Sequence, residues 1–406
     1  TMFASSLSNL RRCMRPTLTA RCFSTSPQTV SLDGMFKTHL LETGPANEVE
    51  TTKEELWSMY ELMYTMRRME ITCDNEYKAR TIRGFCHLYD GQEAVATGIQ
   101  TAFDAEDKWI TSYRCHCVAL ARGAAISEIV GELFGVKTGI TQAKGGSMHM
   151  YMKDAGFYGG QGIVGAQVPV GAGLAFAQKY KAELAGHPNQ MNVAVACYGD
   201  GAANQGQIWE AANMASLWKL PMIFMIENNQ YGMGTSIDRH SSITEYYKMG
   251  NHIPGIQVNG NNVLSMKEAV RYAKEWAGSG NGPIYVEAKT YRYHGHSMSD
   301  PGTTYRNRDE INHMRSTSDP LGYVKELLVS LGFADEAEIK ELEKNIRKMV
   351  QSEVLKAKES PRPNPETDLM EHVYATSLEP NAKSEYPAHI RMPNYEKSFW
   401  ADGKMD

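Results

Sequence analysis

The chain has 406 residues, 42% of them hydrophobic, with a formal net charge of -5 and a pI near 6.2. That is enough apolar material for one large core or two modest ones, and the acidic balance argues against a nucleic-acid partner, for which a basic domain or stripe is expected. No apolar run approaches the roughly 18 residues of a membrane helix, so no membrane partner is expected, and the seven cysteines are too scattered for a disulfide framework.

Residues 1–30 carry Arg11, Arg12, Arg15 and Arg21 among many Ser and Thr, with no acid before Asp33, which is the composition of a mitochondrial transit peptide. A helical segment is expected over 31–79, opened by a capping box from Thr52 to Glu55, with Leu56, Tyr60 and Met63 at helical spacing. A polar-rich stretch from Arg83 places His87 just before a helix start at Gly91-Gln92-Glu93-Ala94, from which a side chain can face a cleft. Trp109 to Ser112 reads as a short strand ending in Tyr113 and Arg114, a hydroxyl donor and a guanidinium fork suited to phosphate oxygens. Cys115-His116-Cys117 is read as part of a strand, its residues alternating between faces, which speaks against a shared zinc. Two glycine-rich loops, Lys144 to Met150 and Gly159 to Gly165, precede a small-residue helix from Val168 to Lys181. With no strand in the right place before them, they do not fit the dinucleotide fingerprint.

The most informative stretch runs from Val193 to Thr235. It reads as a buried strand (Val193 to Tyr198), a Gly199-Asp200-Gly201 corner, an amphipathic helix opening near Gln205, a second buried strand (Met222 to Ile226) and an Asn228-Asn229 turn. If the strands are parallel neighbours joined by a right-handed crossover, their tips lie where open α/β sheets bind ligands. Asp200 and Asn229 then bring a carboxylate and an amide oxygen to one point, a pair suited to Mg²⁺ with room left for a diphosphate. Gly199 and Gly201 let the backbone approach that anion, and the helix start offers it N–H groups. Tyr231 to Ser236 continues as a mobile-looking loop.

A second capping box, Ser265 to Glu268, is expected to start a helix running to about Ala277. The strand Pro283 to Tyr291 feeds a loop reaching Gly302 that carries His294, His296 and exposed hydroxyls, able to close over a site. From Asp335 to Lys358, Ile339, Leu342, Ile346, Met349 and Val354 form the apolar stripe of a docking helix. The Pro-rich tail from Pro361, with Tyr386, Tyr395, Phe399 and Trp400, is expected to lie on a partner.

Gly199-Asp200-Gly201 followed after 26 residues by Asn228-Asn229 resembles the thiamine diphosphate signature. Together with Phe85 to Ala94, Lys144 to Met150, Gly162 to Pro169 and Tyr291 to Gly302, it resembles the alpha subunits of thiamine diphosphate-dependent 2-oxoacid dehydrogenases, in particular those of the mitochondrial pyruvate dehydrogenase type. Branched-chain 2-oxoacid or acetoin types, or a non-catalytic assembly subunit, are the rivals. The resemblance implies an α/β thiamine diphosphate-binding fold, a doubly wound and mostly parallel sheet with flanking helices, placed over 80–310. A C-terminal helical region and extended tail, 311–406, would lie at a subunit interface.

It implies Mg²⁺ held by Asp200, Asn229 and the Tyr231 carbonyl. Cofactor contacts would come from His87, Tyr113, Arg114, Gly162, Val164, Gly201, Ala202 and His296, with His87 and His296 also serving catalysis along the substrate channel. The implied reaction is oxidative decarboxylation of pyruvate in the mitochondrial matrix, with acetyl transfer to a lipoyl group on a dihydrolipoyl acetyltransferase core. A heterotetramer of two alpha and two beta chains would carry it out, the beta chain supplying the activating Glu. A regulatory kinase and phosphatase would act at Ser297, Thr304 and Ser236.

Overall fold

The computed structural model describes residues 26–365, 367 and 368, so most of the expected transit peptide and the aromatic tail residues Tyr386, Tyr395, Phe399 and Trp400 lie outside the described residues. The first elements are β1 (Gln28–Ser31), β2 (Phe36–His39) and β3 (Glu48–Thr51). β1 pairs antiparallel with β3, so folded structure already includes Gln28, inside the span expected for the transit peptide. β2 joins the edge of the main sheet, which gives the segment expected to be helical a sheet role as well.

Helix α1 (Lys53–Lys78) is capped by the Thr52 hydroxyl, which accepts from Glu55 N at 3.2 Å. The reciprocal half of the expected box is missing, because the Glu55 carboxylate turns to the Thr51 hydroxyl and Lys267 instead. There follow α2 (Glu93–Ala102), β4 (Lys108–Ser112), α3 (His116–Ala121), α4 (Ile126–Phe134), β5 (Phe157–Gln161), α5 (Gln167–Leu184), β6 (Ala194–Gly199), α6 (Gly206–Leu217) and β7 (Met222–Asn228). A two-residue-per-strand hairpin, β8 (Tyr231–Gly232) and β9 (Thr235–Ser236), leads into α7 (Ile237–His240). The chain continues with β10 (Gly255–Asn259), α8 (Val263–Trp276), β11 (Ile284–Lys289), α9 (Arg308–Thr317), α10 (Pro320–Ser330) and α11 (Glu336–Lys358).

The main sheet has the order β2-β10-β11-β7-β6-β4-β5, parallel throughout except for β2 at the edge. A parallel sheet is covered on both faces, so its central strands read as unbroken apolar runs, and side chains alternate between two cores. Val195, Cys197, Ile223 and Met225 pack into the core shared with α2, α4 and α8. Ala196, Tyr198, Phe224 and Ile226 pack into the core beneath α5 and α6. Phe224 stacks on Tyr285 with ring centroids 4.8 Å apart, and truncating it to Ala would cost about 3–5 kcal/mol. The expected doubly wound, mostly parallel α/β architecture is what the chain adopts.

Four local readings need correction. His116 opens α3 instead of lying in a strand; its buried ring sits with Nδ1 3.1 Å from Glu70 and Nε2 2.8 Å from the Ser147 hydroxyl. Gly159-Gly160-Gln161 belongs to β5, so the second glycine-rich stretch is itself a sheet strand, disguised by glycine's low strand propensity. α8 begins at Val263 because Asn262 provides the cap, accepting from Ser265 N at 3.0 Å. On α11 the buried face takes Val350 rather than the exposed Met349, and this face packs on α1 and α4 of the same chain. The start of the tail likewise returns to its own chain, where Lys137 N donates to the Pro361 carbonyl at 2.9 Å.

Candidate functional site

The parallel register pairs Gly199 with Glu227, so Asp200 and Asn229 leave neighbouring strand tips. They line one cavity of about 340 Å³, shared with Tyr231, Gln92, Arg114 and His296. Asp200 is buried; its Oδ1 accepts Gly201 N at 2.6 Å, while Oδ2 has no hydrogen-bond partner among the described residues. Burial pushes the Asp200 carboxyl above its ordinary pKa, opposed by the nearby His240 and Arg292. A buried acceptor left unmade costs about 1–3 kcal/mol and more when charged, a deficit that a bound cation removes. Asn229 Nδ2 donates to Gln92 Oε1 at 3.2 Å, and among the described residues Asn229 Oδ1 receives only a long contact from Tyr231 N at 3.4 Å. The Tyr231 carbonyl accepts from Arg292 Nη1 at 3.0 Å and retains a second lone pair. Three hard oxygen donors with spare capacity around one cavity fit Mg²⁺, which takes oxygen ligands and few carboxylates.

The first asparagine of the pair has another task. Asn228 Nδ2 donates to Glu287 Oε1 at 2.7 Å, tying β7 to β11, and its Oδ1 accepts from Gln230 N. Gly201 and Gly232 face each other so closely that a Cβ on Gly201 would stand 3.3 Å from the Gly232 Cα, so the corner and the hairpin meet backbone to backbone. The hairpin is not the loose loop that its sequence suggests. Arg292, fully buried, donates to the carbonyls of Tyr231 and Met233 and to the Tyr305 hydroxyl.

The opposite wall is aromatic. The His87 ring lies 4.5 Å from Tyr113 and 5.2 Å from His296, centroid to centroid. His87 is almost wholly buried and braces Tyr113 and His296, which themselves line the cavity. Burial, reinforced by the Arg114 charge, lowers His87 to about 2 and His296 to about 4, so both are neutral imidazoles at neutral pH, each able to donate from one nitrogen and accept at the other. Arg114 is less free than a phosphate fork would be: Nη1 donates to the Leu88 carbonyl and Nη2 to the His296 carbonyl at 3.0 Å. Its charge still faces the cavity. Val164, Gly201 and Ala202 also line it, whereas Gly162 stands aside against His149.

Gln92, Glu227, His240 and Arg292 also line the cavity, although no sequence motif marks them as site residues. Burial pushes the Glu227 carboxyl pKa up, and the Tyr89 hydroxyl donates to it. For Arg292 the available signal was an arginine set between two tyrosines at a strand end. Among the hydroxyls expected to be exposed, Ser297 is buried, with its Oγ 2.9 Å from Ser299 Oγ. Thr304 is exposed, and Ser236 is half-buried at the start of α7.

The family profile of the dehydrogenase E1 component matches residues 61–366, which include every cavity residue. The chain belongs to the dehydrogenase E1 component family. E1 components of this family depend on thiamine diphosphate. This E1 chain is 52% identical over 351 residues to the mitochondrial pyruvate dehydrogenase E1 component subunit alpha-1 of Oryza sativa subsp. japonica, covering 86% of this chain and 87% of the relative. It is 52% identical over 351 residues to the corresponding alpha subunit of Solanum tuberosum, with the same coverage of each chain. The alpha subunit of Saccharomyces cerevisiae is 50% identical over 357 residues, covering 87% of this chain and 83% of that one.

Proposed function

We propose that this E1 chain holds thiamine diphosphate through Mg²⁺ and, completed by a beta subunit, decarboxylates pyruvate oxidatively in the mitochondrial matrix. The names of its relatives support the substrate, the compartment and the alpha-subunit role. The observation that carries the cofactor site is the buried, unpartnered Asp200 Oδ2 in the same cavity as the Asn229 amide and the Tyr231 carbonyl.

When bound, thiamine diphosphate supplies the electron sink for loss of CO₂. The protein's own residues position and shield. Asp200, the Asn229 side chain and the Tyr231 carbonyl hold Mg²⁺. Arg114 and Arg292 would set a positive field for the diphosphate, and the Gly201 and Ala202 backbone, which lines the same cavity, would be open to its approach. Val164, which lines the cavity, would face the rest of the cofactor, and Gly162 would reach it only if its segment shifted from His149. Neutral His296, braced by His87 and Tyr113, hydrogen-bonds substrate without adding charge to a poorly hydrated pocket.

The acetyl group passes to a lipoyl group of a dihydrolipoyl acetyltransferase core. A heterotetramer of two alpha and two beta chains accounts for the exposed apolar face formed by Phe176, Tyr180 and Leu184 on α5 with Leu217 and Trp218 at the end of α6. A kinase and phosphatase regulate the enzyme at Ser297, Thr304 and Ser236. Phosphorylation of Ser297 places about two negative charges where a buried hydroxyl now sits, and the loop beside His296 must then open.

Co-expression with a candidate beta chain and an assay of CO₂ release test this reading. Pyruvate is expected to be turned over in preference to branched-chain 2-oxoacids and acetoin. Asp200→Ala is expected to lower release by at least about 1,000-fold through loss of the metal. Full turnover by Asp200→Ala overturns the metal assignment, and preference for a branched substrate overturns the choice of pyruvate.

A further inference from the structure

We infer that Gln92 is a positioning residue that fixes which end of the Asn229 amide faces the metal. The inference rests on the reading of Asp200, Asn229 and Tyr231 as the Mg²⁺ ligands.

Gln92 breaks a local rule. It occupies the N-cap of α2, where Ser, Thr, Asp and Asn are favoured because a short side chain reaches the free amides of the first turn. The Gln92 side chain makes no capping bond, and the neighbouring Glu93 carboxylate receives the Gly91 N–H at 2.9 Å. A residue that departs from local preference at a cavity wall is the pattern expected of a functional position.

The backbone on either side is held in place. Gly91 has φ +96°, and a Cβ there would stand 2.3 Å from the Tyr291 carbonyl, so glycine alone lets this segment press against the end of β11. The Thr290 hydroxyl donates to the Gly91 carbonyl at 3.3 Å, and Tyr293 N donates to the Asp90 carbonyl at 3.1 Å. Gln92 is thereby fixed at 1% exposure, with Oε1 accepting from Asn229 Nδ2 at 3.2 Å.

The two ends of an asparagine amide are alike in shape and opposite in chemistry, and only the oxygen can serve a cation. Tyr231 N favours oxygen on its side of the amide, but at 3.4 Å its hold is weak. The Gln92 oxygen is the closer of the two contacts and can only accept. With Gln92 in place the Asn229 NH₂ is occupied and its oxygen is left for the metal. Without it the amide turns over at little cost and presents N–H groups to the cation.

The test uses the assembled alpha–beta protein with saturating thiamine diphosphate. Mn²⁺ serves as the probe, its affinity read from the spin-resonance signal of the free ion. Loss of an outer hydrogen-bond partner typically weakens metal binding about 10- to 100-fold, and Gln92→Leu is expected to fall in that range. Gln92→Glu keeps an acceptor at the same reach and is expected to stay within about threefold of the parent protein. In the Asn229→Ala background the Gln92→Leu loss is expected to vanish, because the amide on which it acts is gone.

Equal affinity in Gln92→Leu and the parent overturns the inference. So does a Gln92→Leu loss that persists undiminished beside Asn229→Ala, which would mean that Gln92 acts on the ligand directly. If Gln92→Leu does not fold, a Gln92→Glu protein that folds but binds Mn²⁺ as weakly as Asn229→Ala overturns it equally. Asp200→Ala separates this inference from the reading beneath it. Undiminished Mn²⁺ binding by Asp200→Ala removes the metal site itself, whereas loss there with none in Gln92→Leu removes only the role of Gln92.

Discussion

The wall of the cavity that carries Asp200 and Asn229 is built on β6 and β7, while the wall that carries His296 is a segment without regular structure, and different forces hold them. β6 and β7 are central strands, each hydrogen-bonded to neighbours on both sides and packed on both faces. The segment from Arg292 to Ser297 is held by polar ties. Arg306 donates to the carbonyls of Arg292 and His294, both at 2.7 Å, Arg114 donates to that of His296, and the Asp300 carboxylate accepts from His296 N at 2.7 Å. Burial spreads the stability of the first wall over many contacts. The second wall depends on a few bonds of about 1.5–3 kcal/mol each, so a single change of charge can release it.

The largest effect expected on the loop wall comes from Arg292→Met. The substitution keeps the volume of the stem and removes the donors to Tyr231, Met233 and Tyr305. Two or more charge-assisted bonds are lost at once, so turnover by the assembled enzyme is expected to fall about 100- to 1,000-fold. The 231–236 hairpin should become open to limited proteolysis, while the melting of the sheet core changes little. Turnover within threefold of the parent would mean that the hairpin stands without this tie, and the contrast between the walls would break.

Ser297→Glu is a smaller perturbation of the same wall. One carboxylate replaces a hydroxyl that is bonded, among the described residues, to Ser299 alone, close to His296, and turnover is expected to drop about 10- to 100-fold by electrostatic expulsion of the loop. Ser297→Ala removes one neutral hydrogen bond worth about 1 kcal/mol and is expected to keep most of the turnover while blunting inhibition by the proposed kinase. Equal turnover by the Glu and Ala variants would show that the loop tolerates charge at this position.

The same contrast explains what could be read from the sequence. Asp200 and Asn229 were legible because a strand buried on both faces writes an unbroken apolar run, and its end is marked by residues that favour turns. The reach of Arg292 to Tyr231 spans 61 positions and leaves no periodic trace. β2 was missed because Phe36-Lys37-Thr38-His39 is four residues long and carries no alternation. Asn262 hid behind a better-looking box at Ser265, although Val263 and Leu264 between them are fully buried and extend the first turn into the core. Short-range signals found the strand wall and marked the loop that carries His296, but only tertiary structure could find the ties that hold that loop.

The smallest effect is one of pH, and it acts on the loop wall alone. His294 Nδ1 lies 2.7 Å from Asp90 Oδ2, joining the loop to the segment that carries His87. Burial acts to lower the His294 pKa, but the bond to Asp90 and the charges of Asp90 and Asp74 outweigh it, against the opposing Arg315, so the net shift is upward. Burial acts to raise the Asp90 carboxyl, and His294, Arg67 and Arg315 reverse that, so its net shift is downward. A raised histidine contributes stability that is complete below its unfolded value of about 6.5 and is lost as pH rises through the folded value. A depressed carboxyl contributes stability present above its own unfolded value and lost as pH falls through the folded one, so the tie is strongest between the two. From about pH 6 to about pH 8.5, amide-exchange protection of residues 291–302, corrected for the intrinsic rate, is therefore expected to decline, while that of β6 and β7 stays level. His294→Gln should flatten the decline. A parallel loss in the strands would mean that the two walls open together, and the independence argued for the loop would fail.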